Sequence, residues 1–220
     1  MTTGDAGAAA GPLRELRDGI AYWHSRSWPA DLHNACYDEW AGQNPHGNFT
    51  IEWWNQYQLP RLRRWVATRP VSGSVLTERF TSSMDALGST WREACLPYLD
   101  QDVTAVCWDR IRAFPDEVAK IKPLKGSALS AVFTSKFCHF LLPKVFPVID
   151  NAALGVGGKT YEACFRNVQG EWAGTDATAR DALIAELTLA VETQGPALSP
   201  RFPLVNKIVE LRLIGRNHAR

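Results

Sequence analysis

Phe133-Thr134-Ser135-Lys136-Phe137-Cys138-His139-Phe140-Leu141-Leu142-Pro143-Lys144-Val145-Phe146-Pro147-Val148-Ile149-Asp150-Asn151 is the stretch around which the rest of the chain is read. Its rings recur at helical spacing, which predicts an apolar helix, or pair of helices, over 127–142 that Pro143 stops. Pro147 then starts the segment carrying Asp150 and Asn151. One lysine stands among Phe133, Phe137 and Phe140, and one aspartate follows the apolar run from Val145 to Ile149. Among those rings Lys136 either loses hydration and becomes a better nucleophile or snorkels its ammonium to the surface, and Asp150 is either a helix N-cap or a carboxylate aimed into a cleft. His139 reads as a satisfied core histidine and Cys138 as a small buried hydrophobe.

Outward from this stretch the helical period persists. Leu13, Leu16, Ile20 and Trp23 share one face, and Pro29-Ala30-Asp31 opens a second helix through Trp40. Thr50 caps a helix bearing Ile51, Trp53, Trp54 and Tyr57, which Pro60 ends or bends. Further helices are predicted from Met84 to Tyr98, from Val103 to Phe114, from Pro115 onward, after the cap Asp176, and from Leu204 to Ile214. Residues 70–83 take no assignment. No alternating strand pattern, hairpin dipeptide or internal repeat occurs, so the chain reads as all-α. Residues 1–12 read as a disordered tail, and 13–220 as one globular unit of two packed helical lobes.

Composition narrows the function classes. The chain has 220 residues and a formal net charge of +1, so any nucleic-acid affinity must come from a local patch. The five cysteines lack Cys-x-x-Cys and zinc spacings, which implies reduced thiols and a cytoplasmic protein. No apolar run is long enough to span a membrane, and no cofactor motif stands out. Gly155-Val156-Gly157-Gly158-Lys159-Thr160 lacks the first glycine of a phosphate loop and reads as a plain loop. The nine tryptophans lie mostly in the first half, as core residues with some rings left for stacking.

The order Ser135-Lys136, apolar helix, Phe146-Pro147-Val148-Ile149-Asp150 resembles the catalytic segment of the helix-hairpin-helix DNA glycosylase superfamily over roughly residues 120–155. The resemblance implies two helical lobes, the motif-bearing one spanning roughly 84–170, with a cleft between them. It implies a monomer that binds DNA and flips a damaged or modified base, a hypermodified phage base in antiviral defence being one candidate, leaving an abasic site. Asp150 and Lys136 become the expected catalytic residues, the carboxylate stabilising the sugar cation. Thr134, Ser135, Lys125, Lys144 and Asn151 become DNA contacts, with Lys120 and Lys122 on the cleft rim, and Trp53, Trp54 and Tyr57 line the base pocket. Where the family has a glycine-rich hairpin, this chain has Ser130-Ala131-Val132-Phe133-Thr134-Ser135, and the Lys136–Asp150 interval is short. Both departures favour attack by water, with Lys136 a phosphate or structural lysine. A non-catalytic DNA-binding module and a small-molecule or partner-binding helical protein are the rival readings.

Overall fold

The computed structural model describes residues 5–26, 34–123, 130–149, 160–193, 195 and 197–218. The described chain is helical, with no β-strand among these residues. Helix α1 (Asp5–His24) begins inside the stretch read as a tail and carries Pro12 internally. The other long helix of the chain's ends, α11 (Leu204–His218), lies directly against it. Two glycines set that approach. A Cβ at Gly19 would fall 1.9 Å from the Leu211 carbonyl oxygen, and one at Gly215 would fall 1.9 Å from that of Glu15. Arg212 and Arg216 of α11 then bridge Glu15 on α1 to Glu171 on α9 (Tyr161–Ala173). Arg17 reaches from α1 to Glu186 on α10 (Ala177–Glu192).

The middle of the chain builds the aromatic core. After α2 (Asn34–Gly42), Thr50 caps α3 (Ile51–Trp53), its hydroxyl accepting the Trp53 N–H at 3.2 Å. A π turn, Trp54–Gln58, leads into α4 (Leu59–Arg64). The unassigned residues 70–83 prove to hold the whole first half of α5 (Gly73–Thr90), which begins at a Ser72 cap. Its serines and threonines hid the period, while Leu76, Phe80 and Leu87 supply the buried face. A second π turn, Trp91–Cys95, follows α5 and passes into a 3₁₀ turn, Leu96–Tyr98.

The two π turns share the pattern Trp-x-x-x-x-Leu-Pro, as Trp54 to Pro60 and as Trp91 to Pro97. Proline has no N–H and its ring crowds the carbonyl four residues back. In each case the leucine N–H just before the proline reaches five residues back, to the tryptophan carbonyl. The wider turn delivers a wholly buried indole each time. Trp54 stacks on Phe80 at 4.5 Å between centroids, and Trp91 meets Phe114 edge-on at 5.2 Å.

Val103 to Phe114 is not one helix. A 3₁₀ turn at Val103–Ala105 precedes α6 (Trp108–Ile111), and α7 (Ala113–Ile121) starts two residues ahead of Pro115. Asp176 caps α10 as expected, accepting the Ala179 N–H at 2.8 Å. At the centre lies α8 (Ala131–Leu141), capped by Ser130 and contacted by α2, α4, α7 and α9. Every residue from Phe133 to Leu142 is buried.

Candidate active site

The run after α8 opens with a turn, in which the Val145 and Phe146 N–H groups donate to the Leu142 carbonyl, and continues without regular secondary structure, side chains from three helices holding its backbone. His139 Nδ1 lies 2.8 Å from the Phe146 carbonyl oxygen, which makes Nδ1 the protonated nitrogen. Nε2 is then an acceptor, 3.4 Å from the Tyr37 hydroxyl. Tyr161 donates to the Pro147 carbonyl at 3.0 Å. Ser135 Oγ accepts the Ile149 N–H at 3.0 Å and donates to the Val132 carbonyl at 3.1 Å. Asn206 Nδ2 donates to the Pro143 and Lys144 carbonyls at 2.7 and 3.1 Å. Residues 143–149 are therefore held along their length, up to the residue bonded to Asp150. Asp150, Asn151 and Lys125 themselves lie outside the described residues.

Lys136 follows Ser135 on α8 and is 7% exposed. Its Nζ donates to the Trp65 carbonyl at 2.8 Å and lies 5.9 Å from the Trp65 ring centroid. A second buried lysine, Lys122, ends α7 and donates to the Ala67 and Arg69 carbonyls at 2.6 and 2.7 Å. Burial lowers the pKa of Lys122, and the nearby Lys136 charge lowers it further. Lys122 was expected on an exposed cleft rim; the fold draws it inward because the turn after α4 offers bare carbonyls. Lys120 remains at the surface, paired with Glu117.

The aromatic residues expected in the base pocket divide. Trp54 is wholly buried between Phe80 and Phe137, and Trp53 is buried against Phe49, Phe80 and Phe137. Neither indole offers a face to a base, because both are packed into the aromatic core. Tyr57 is half-buried, with the Arg61 guanidinium 5.8 Å from its centroid and 5.8 Å from that of Trp40. Arg61 bonds Gln43, and burial lowers its pKa. Trp65, not singled out from the sequence, is the one described tryptophan that is not buried. It packs edge-on to Phe140 at 5.1 Å and to Trp40 at 5.9 Å.

The expected phosphate contacts also divide. Thr134 and Ser135 are buried on α8, too deep to meet a phosphate, because the helix turns their face toward the core. Ser135 holds backbone instead, and Thr134 Oγ1 has no hydrogen-bond partner among the described residues. Lys144 is half-buried and donates to the Pro200 carbonyl at 3.3 Å. It lines a cavity of about 410 Å³ with Tyr37, His46, Asp100 and Arg201.

Burial raises the pKa of the Cys95 and Cys138 thiols, so neither is poised as a thiolate. Among the described residues no group of three or more His, Cys, Asp or Glu side chains is placed to hold a metal ion. Among them, too, no helix is long and apolar enough to cross a membrane. The chain matches no protein-family model, no curated protein and no solved structure.

Proposed function

We propose that this protein is a monofunctional DNA glycosylase in which Asp150 stabilises the sugar cation and water attacks. One observation carries the reading: the backbone that ends at Ile149 is fixed by three side chains, those of His139, Ser135 and Tyr161. A carboxylate that must meet developing charge needs a fixed origin, since only groups oriented in advance lower the barrier. The N-glycosidic bond breaks with its electron pair leaving on the base. Water then adds to the sugar carbon and gives up a proton, with Asp150 as its acceptor. Lys136 is a positioning residue here, its ammonium already donating to the Trp65 carbonyl.

The test is incubation of the full chain with cellular and phage DNAs of differing base modification, scoring released bases and abasic sites. Asp150→Asn abolishes release and keeps DNA affinity; near-wild-type release in that variant removes Asp150 from the chemistry. Borohydride traps no adduct on the intact target base. Efficient trapping that is lost in Lys136→Met would establish the lysine as the nucleophile instead.

The cavity beside Lys144 favours a second reading, a small-molecule site. Its volume of about 410 Å³ falls in the range of ligand pockets, and His46, Lys144 and Arg201 face a single carboxylate, Asp100. Abasic-site formation separates the two readings.

A further inference from the structure

Between Glu52 and Glu78 the sequence contains no Asp or Glu, yet it contains Arg61, Arg63, Arg64 and Arg69. Arg63, Arg64 and Arg69 are exposed at the end of α4 and on the turn after it. None has an acidic partner among the described residues, whereas Arg17, Arg166, Arg212 and Arg216 are all paired with carboxylates. Beneath the same turn lie two further cations, Lys122 and Lys136, whose ammonium groups hold the carbonyls of Trp65, Ala67 and Arg69 inward. In a chain of net charge +1 this is a concentrated positive field on a fixed backbone.

At the tip of the turn stands Val66, 54% exposed, with φ 56°. A β-branched residue in the left-handed region is strained, and such strain persists only where the surroundings impose it. Glycine would hold this backbone at lower cost, but it would not present an apolar side chain. Arginines flanking one small apolar tip fit phosphates flanking a sugar and base edge. A bilayer needs a wider apolar face than one valine supplies.

We infer that the turn from Arg63 to Arg69 is the element that docks duplex DNA, its arginines on the phosphates and Val66 against the sugars and base edges between them. Lys122 and Lys136 act through the turn, as positioning residues. The inference rests on the nucleic-acid part of the proposed function and not on base excision.

The experiment measures binding of the full chain to a short labelled duplex across a salt series. It compares Arg64→Gln/Arg69→Gln with Arg110→Gln/Arg112→Gln, a pair of exposed arginines on and just after α6 that removes the same charge. The turn double weakens binding by about tenfold and lowers the salt slope by roughly 2, while the α6 double stays within about twofold of wild type. Val66→Gly, which suits the backbone, folds normally and binds about three- to tenfold more weakly. Equal losses in the two doubles, or wild-type binding by the turn double and Val66→Gly, would overturn the inference while leaving excision intact. Loss of binding in the turn double, with no base released by wild type, keeps the docking turn and removes the glycosylase reading. No duplex binding by wild type at low salt, or capture by anionic vesicles alone, removes both.

Discussion

Ile149 hangs from Ser135. One hydroxyl on α8 accepts the Ile149 N–H at 3.0 Å and donates to its own helix at the Val132 carbonyl, 3.1 Å away. Because Ser135 precedes Lys136, a single turn of α8 fixes both the residue bonded to Asp150 and the lysine that holds Trp65. The same turn therefore connects the proposed chemistry to the proposed docking element.

Ser135→Ala leaves a buried N–H without its acceptor, which costs about 1–3 kcal/mol of stability. If the pin also orients the reacting group, base release at saturating DNA falls by more than about tenfold while DNA affinity stays unchanged. Urea denaturation gives the first quantity and single-turnover kinetics the second. A stability loss with unaltered turnover would make Ser135 a structural residue only.

Gly19→Ala and Gly215→Ala each drive a methyl into a backbone carbonyl across the α1–α11 contact, and each destabilises by about 3 kcal/mol or more. Gly170→Ala on α9 meets nothing within 4 Å and gains about 0.5–1 kcal/mol, since alanine is the better helix former. Thermal denaturation of the three variants orders them. Comparable midpoints for Gly170→Ala and Gly215→Ala would contradict the close approach of the two helices.

Acid should loosen the same end of the molecule. The hydrogen bond from Arg216 holds the Glu171 carboxyl below its ordinary pKa, outweighing partial burial, with the Arg216 and Arg212 charges adding to the effect. A carboxylate whose folded pKa is depressed contributes its full stability above the unfolded value of 4.5, and loses it as pH falls through the folded value. Unfolding free energy measured from pH 6 downward therefore declines below about pH 4.5, and Arg216→Gln flattens that decline by about 1 kcal/mol or less, because the network is partly solvated. An identical pH profile in the variant would mean that the network is not coupled to folding.

Much of the helical pattern was legible because buried rings and leucines recur with a fixed period and because Thr50 and Asp176 are strong caps. The first half of α5 escaped notice because its exposed face is rich in Ser and Thr, which propensity alone assigns to turns. The core place of His139 followed from its apolar neighbours; its hydrogen bonding with Tyr37 and Phe146 did not, since both are brought there by tertiary packing. Lys122 read as a rim lysine because sequence carries no sign of which carbonyls a turn leaves bare. Trp53 and Trp54 read as pocket rings for a related reason: sequence does not show that Phe49, Phe80 and Phe137 close over both neighbouring indoles, which only tertiary packing arranges. Val66 carries no signal at all, because left-handed backbone at a β-branched residue is imposed from outside it.

The paired Trp-x-x-x-x-Leu-Pro turns give the aromatic core a form of length memory. A π turn holds one residue more than the α-helical path between the same two points, so each of these helices contains a slack position just ahead of its proline. Losing one residue from Asn55 to Gln58, together with Pro60→Ala, would let the helix close to the ordinary ladder without rotating the turns beyond the proline. The same deletion one turn earlier would swing Trp54 out of its stack with Phe80. Chain length in these two helices is thus set locally, at the proline, and a core crowded with indoles can absorb the loss of one residue there that it could not absorb a turn earlier in the same helix.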